Sequence, residues 1–157
     1  MKEEAKIDPE KIHLFHINIV ESAIKDVSQK RDDNFEIKIA HTTMHNLKDE
    51  RVKIGIFIDI IHDDITSDAK AHFNIDFHYK IGDLLNHYEI DNKGIVVFSS
   101  MFIATLLGIS FSTARGIIYE RLSNTNMQGV ILPVVSPQKM LSTKKTIEDV
   151  SDQQRKK

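Results

Sequence analysis

The chain has 157 residues, of which 41% are hydrophobic and 28% are charged, and it contains no cysteine. This length suits one domain with a sizeable core. Without cysteine, disulfides, thiolate chemistry and a cysteine zinc site are excluded. The formal net charge of −2 is uneven, because residues 1–93 carry 19 Asp/Glu and 13 Lys/Arg, whereas residues 94–157 carry 4 and 8. An acidic first half argues against a nucleic-acid surface there and favours a basic protein partner.

The first eleven residues, MKEEAKIDPEK, lack an apolar core and carry several acids, so they do not have the composition of a secretory signal. We predict a flexible N-terminus over residues 1–11. Without a predicted transmembrane segment, the expected location is cytoplasmic.

Four segments alternate apolar and polar residues with period two, which is typical of half-buried antiparallel strands. The pattern predicts one packed and one solvated sheet face. In the first strand, it puts Phe15, Ile17 and Ile19 together on one face. The connection from the first strand to the second is long and charged, which favours a crossover over a tight hairpin. The predicted strands are residues 12–20, 35–41, 52–61 and 71–81.

Val96 to Leu107 is predicted to form a helix that is apolar on nearly every face, and such a helix must be buried on more than one side. With Ile109 it reaches about fourteen residues, too few for a bilayer, which takes roughly twenty. A second protomer is the natural cover. A second helix is predicted to start at Ser110 or Ser112. A short helix is predicted to begin at Ser136-Pro137 and end at Leu141, followed by a polar tail over residues 142–157.

The glycines form no phosphate-binding or nucleophile-elbow motif. One loop collects possible metal ligands, although such side chains are ordinarily hydrated turn residues, so only weak metal binding is considered there. No carboxylate or histidine is placed in a protected pocket, as acid–base catalysis would require. We therefore predict no enzyme, no catalytic residue and no cofactor. The loop residues are Asp59, His62, Asp63, Asp64 and Asp68.

Residues 111–141 read FSTARGIIYERLSNTNMQGVILPVVSPQKML. They resemble the closing helix and tail of the SecB family of export chaperones, in which an Ala-Arg pair follows an aromatic helix start and a Leu-Pro strand precedes a short helix. With the strands before it, the resemblance covers residues 12–141. It implies an α+β fold, a four-stranded antiparallel sheet followed by two helices packed on one face. It also implies a homotetramer, a dimer of dimers.

The resemblance further implies an ATP-independent holdase that binds unfolded polypeptides, and for the family these are preproteins for Sec-dependent export. The implied peptide-binding residues are Phe15, Ile24, Phe111, Ile118, Tyr119, Met127, Ile131 and Leu132. The implied oligomer interface contains Val97, Phe98, Met101, Phe102 and Thr105. A surface for the SecA motor is implied at Glu21 and Asp76.

Two features depart from the family. The crossover IKDVSQKRDDN lacks the aromatic residues that help to form the peptide groove, and the tail ends in RKK rather than in an acidic run. A dedicated chaperone of a toxin–antitoxin system is therefore an alternative client relationship. A small apolar-ligand binder or acyl-thioesterase is a second alternative, and a structural adaptor oligomer is a third.

Overall fold

Isoleucine and aromatic side chains alternate with polar ones along four long strands, and these strands form the sheet of a computed structural model. The structure describes residues 3–25, 35–63, 69–127 and 129–141. Two short 3-10 helices lie at Pro9–Lys11 and Leu84–His87. The regular elements are β1 (Ile12–Lys25), β2 (Phe35–Asn46), β3 (Arg51–His62), β4 (Lys70–Ile81), β5 (Tyr88–Ile90), β6 (Val96–Phe98), α1 (Ser100–Leu122) and α2 (Pro137–Leu141).

The large sheet is antiparallel throughout and its strands lie in the order β1-β4-β3-β2. β1 and β2 therefore occupy opposite edges of the sheet, and the predicted crossover between them lies mostly outside the described part of the chain. All four predicted strands are confirmed, and each extends beyond its predicted bounds. The fold is α+β, as predicted.

One face of the sheet, the packed face, carries the core. The isoleucines of β3 and the aromatic residues of β4 are almost fully buried there beneath α1. The other face, the open face, carries the alternating polar side chains. The buried strand residues are Val52, Ile54, Ile56, Ile58, Ile60, Phe73, Ile75, Phe77, Tyr79 and Ile81.

β1 breaks its alternation twice, because its pairing with β4 shifts register between Leu14 and His16 and again between Ile19 and Glu21. Each shift is a β-bulge, and a bulge inserts a residue that re-aims its neighbours. The ring of Phe15 consequently lies on the open face, 6.1 Å from that of His78. The prediction that Phe15, Ile17 and Ile19 share one face is wrong.

The two predicted helices form a single helix, because α1 runs without interruption over 23 residues. Val96–Phe98, predicted as its first turn, instead pairs as β6 with Tyr88–Ile90. α1 also has two different sides. One side is buried on the sheet, whereas Met101, Ile109 and Ser112 are exposed. The sheet therefore covers only one side of this helix, as predicted, and its cover by a second protomer stays a prediction.

By length and composition alone, α1 could cross a bilayer, and among the described residues it is the one such helix. The prediction that it is too short rested on the shorter helix and is corrected here. Half of its apolar window is buried inside the domain. Phe102, Leu106 and Leu107 have no exposed surface. α1 is therefore a core helix that covers the packed face of the sheet.

The predicted terminal helix is confirmed as α2. Before it, the segment 130–136 has no regular secondary structure, so the extended piece predicted there does not join the sheet. Residues 3–8 lack regular structure as well. The flexible N-terminus stays a prediction, and the tail 142–157 lies outside the described residues.

Candidate functional site

Four of the predicted peptide-binding residues belong to the core. Phe111, Ile118, Met127 and Leu132 each expose 3% or less of their surface. They share one hydrophobic cluster with Met140 of α2. In this conformation they support the C-terminal segment and do not line an accessible groove.

Two hydrogen bonds from side chains to backbone hold the C-terminal segment against the domain. Nε of Arg115 donates to the carbonyl of Leu132 at 3.1 Å. Nε2 of His41, a buried residue on the packed face of β2, donates to the carbonyl of Met140 at 2.5 Å. Because the backbone carbonyl can only accept, this bond assigns the proton to Nε2.

The other predicted peptide-binding residues lie in different places. Tyr119 and Ile131 are exposed at 51% and 62%. Phe15 is 49% exposed but lies on the open face, on the other side of the sheet from α1. Ile24 is partly buried against the core. The predicted set is therefore divided between the core and both faces of the sheet.

A groove lies between the exposed side of α1 and the start of α2. Its volume is about 600 Å³, and its lining includes Met101, Thr105, Gly108, Ile109, Ser112 and Pro137. At its floor the two helices approach closely, because a Cβ on Gly108 would lie 3.3 Å from Cγ of Pro137. Space of this size can hold several side chains of an extended polypeptide, as ligand clefts commonly exceed about 300 Å³.

The groove offers few unpaired polar groups. The hydroxyl of Thr105 donates to the carbonyl of Met101, and that of Thr113 donates to the carbonyl of Ile109, both at 2.8 Å. Threonine hydroxyls bonded to their own helix present methyl groups outward, so the groove is mainly apolar, with Ser112 and Gln138 as further polar side chains in its lining. Sequence reasoning missed it because it ended one helix at about Ile109 and began a second at Ser110 or Ser112, which divided the exposed side of α1.

The predicted interface residues also separate into two groups. Val97 and Met101 are about half exposed, and Thr105 is partly exposed. Phe102 is fully buried, with its ring stacked on His87 at 4.5 Å between centroids. It therefore belongs to the core, beneath the surface that Met101 presents.

The fold itself is a known one. A SecB-like chaperone from Mycobacterium tuberculosis, Rv1957, solved in complex with a ChAD peptide from the HigA1 antitoxin, is similar in structure with a TM-score of 0.57. The match covers 81% of this chain and 89% of that one, at 8% sequence identity. This chain has the SecB-like fold. A protein of unknown function from Streptococcus agalactiae matches with a TM-score of 0.42 and 9% identity, over 78% of this chain and 97% of that one. No protein-family model and no curated protein matches the sequence.

In this SecB-like fold, the two acids predicted to face a motor protein are on the open face, and both have basic partners. Asp76 lies 3.4 Å from Nζ of Lys53. Glu21 lies 3.2 Å from Nε2 of His72, whose Nδ1 contacts Asp59. Asp76 thus has a cationic neighbour, whereas Glu21 and Asp59 both contact the one imidazole of His72.

The loop considered for weak metal binding gains no support within the described ranges. Asp64 and Asp68 lie outside them, and among the described residues no group of three potential ligands is close enough to hold an ion. Asp59 contacts His72 across the sheet instead.

Proposed function

We propose that this protein is an ATP-independent chaperone that binds unfolded polypeptide segments, and thus a binding protein and not an enzyme. The observation that carries the proposal is the SecB-like fold combined with the apolar groove between α1 and α2. Three further apolar residues outside the lining of the groove are exposed. They are Tyr119, Ile131 and Val134.

The physical basis of binding is the removal of apolar surface from water, worth about 25 cal/mol for each Å² buried. A client that is unfolded exposes such surface in many sequences. Met101 suits varied clients, because an unbranched thioether side chain adapts to irregular shapes. No nucleotide chemistry is needed, since binding and release follow from the client's own folding.

We propose the tetramer, a dimer of dimers, as the working assembly. Val97 and Met101 expose an apolar surface where α1 begins, and such surfaces commonly mark protein contacts. Phe98 and Thr105 flank this surface, while Phe102 supports it from within. Met101 and Thr105 also line the groove, so a partner subunit would form one of its ends.

Two client relationships remain in competition. A dedicated client, such as an antitoxin, is favoured by the structural neighbour, which was solved with an antitoxin peptide. Export of preproteins with the SecA motor would use Glu21 and Asp76, but each already has a basic partner. We therefore place the dedicated chaperone first and Sec-dependent export second. A cytoplasmic location is part of either proposal.

The small-ligand alternative has less support. Carriers with a helix over a sheet hold their ligand in a cavity between the two. Here the space between α1 and the sheet is filled by side chains of the core cluster, including Phe102, Leu106 and Phe111.

The test is suppression of aggregation of a chemically unfolded client in the absence of ATP, followed by light scattering. Ile109→Asp puts a charge in the groove and is expected to abolish most of the suppression. Ile90→Asp is the matched control, because Ile90 is exposed on β5 and does not line the groove. Failure of the wild-type protein at a stoichiometric amount, or equal loss in both variants, would contradict the proposal.

A further inference from the structure

One end of the open face carries two adjacent cross-strand rows of basic and imidazole side chains. In the first row, Arg51 lies opposite Lys80, which lies opposite His13. In the second row, Lys53 lies opposite His78, and His78 lies opposite His16. Directly opposed residues of an antiparallel pair point to the same face.

Neither row contains a carboxylate among these described residues. Like charges placed directly opposite each other destabilise a sheet, and Arg51 opposite Lys80 is such a pair. Asp76, in the next row, pairs with Lys53 and so offsets one cation of the second row, and Asp49 accepts a hydrogen bond from Asn46 at 2.9 Å. The rows are therefore basic, although the first half of the chain is acidic overall.

Two apolar side chains lie against these rows. The bulge in β1 turns Phe15 onto the open face, where its ring centroid is 5.1 Å from the guanidinium carbon of Arg51. Met44, opposite Lys53 on β2, is 57% exposed. Phe15, Met44, Arg51, Lys53 and His78 line one cleft of about 170 Å³, which we call the Phe15 cleft.

The surroundings of His78 agree with a cationic site. Its pKa is lowered from the usual value by partial burial, against the opposing effect of Asp76, and further by His16, Lys53 and Arg51. Positive neighbours disfavour one more positive charge on the imidazole.

We propose that the Phe15 cleft is a second contact site for client polypeptide and selects segments in which an Asp or Glu adjoins a large apolar side chain. The apolar side chain packs on Phe15 and Met44, and the carboxylate pairs with Arg51 and Lys80. This inference rests on the proposed function, because it specifies which polypeptides the protein prefers.

Size and chemistry favour a peptide over other anionic partners. The cleft is smaller than the roughly 300–1,000 Å³ typical of small-molecule sites, so it suits one side chain of a longer ligand. Met44 at its edge supplies an apolar contact that does not stack on a base, and binding of nucleic acid generally requires a larger basic surface.

The test uses short fluorescein-labelled peptides of Phe and Leu separated by Asp, by Asn or by Lys, with binding measured by fluorescence anisotropy. The wild-type protein should bind the Asp peptide at least about fivefold more tightly than the Lys peptide, the equivalent of about one surface ion pair. Added salt should reduce this preference. Arg51→Glu should abolish or reverse it. Lys70→Glu makes the same change at the opposite end of the open face and should leave the preference intact.

The outcomes separate this inference from the proposed function. Binding of all three peptides with equal affinity would overturn the Phe15 cleft and leave the chaperone proposal standing, whereas binding of none would overturn both. Displacement of the Asp peptide by single-stranded DNA at equal concentration would identify a nucleic-acid surface instead. A lower oligomeric mass in Arg51→Glu would assign the cleft to a second copy of the chain. Tighter binding in Glu148→Lys/Asp149→Lys would assign it to the chain's own tail. Any of these three results overturns the assignment to clients.

Discussion

The hydroxyl of Tyr79 lies 2.7 Å from that of Ser110, and this buried contact joins β4 to the middle of α1. Tyr79 also reaches the carbonyl of Leu106 at 3.4 Å. Both hydroxyls are excluded from water. The pair therefore fixes the position of α1 on the sheet, and with it the position of the groove.

We predict that the Tyr79 and Ser110 hydroxyls are coupled energetically. Tyr79→Phe and Ser110→Ala each leave the partner without this hydrogen bond, which costs roughly 1–3 kcal/mol in a buried site. The double variant should lose clearly less than the sum of the two, as the free energy of unfolding in urea would measure. Additive losses would show that the contact contributes nothing specific.

Tyr79 should also make the free energy of unfolding depend on pH in the alkaline range. Burial raises the pKa of Tyr79 from 10.0 to about 12, and the hydrogen bond with Ser110 opposes the shift. Because the unfolded chain loses this proton first, the stabilisation is present below pH 10 and is lost as the pH rises toward 12. Denaturant melts of wild type and Tyr79→Phe over this range should converge, and parallel curves would contradict the prediction.

Substitutions at two neighbouring residues should have different effects, one on assembly and the other on stability. Met101→Asp charges the exposed side of α1 and should lower the oligomeric mass by light scattering, with little change in unfolding free energy. Phe102→Ala removes a ring stacked on His87 in the core and should cost about 3–5 kcal/mol. A monomeric wild-type protein at micromolar concentration, or an unchanged mass in Met101→Asp, would contradict the proposed interface.

His41 should control how firmly α2 is held. His41→Phe keeps a ring of similar size but removes the hydrogen bond from Nε2 to the carbonyl of Met140. The amide of Met140, which donates to the carbonyl of Ser136 just before α2, should then exchange with deuterium at least about fivefold faster. His45→Phe is the control, because it makes the same substitution on the same strand at a histidine whose ring packs edge-on against Phe98. Equal exchange rates in the two variants would show that the hydrogen bond does not anchor α2.

The strands were predictable because half-buried sheets impose a period of two on the sequence, which β4 follows throughout and β3 follows except around Gly55 and at Ile61. The bulge at Phe15 was not predictable, because the residues on either side of an inserted residue still alternate in sequence. Ser110 suggested a helix start because hydroxyls favour such positions, but its partner Tyr79 lies 31 residues away in sequence. Only the folded chain shows that pairing.

The candidate site was predictable only in part, because apolar residues at helical spacing do not reveal which side of a helix meets the sheet. Tyr119 and Ile131 are accessible as expected, whereas Phe111 and Ile118 are core. The two basic rows could not be predicted from the sequence for a related reason. Arg51, Lys80 and His13 are far apart in sequence and are brought together only by the register of three strands.

The strand order has a consequence for synthesis of this chain. β2, β3 and β4 follow one another as neighbours and can pair through local hairpins. β1 is synthesised before them, yet its only sheet partner among the described strands is β4. Ile12 therefore cannot pair until Ile81 has been synthesised. During translation, a long strand with many apolar side chains thus emerges before its partner strand is made. A protein proposed to shelter unfinished chains passes through the same exposed condition each time it is made.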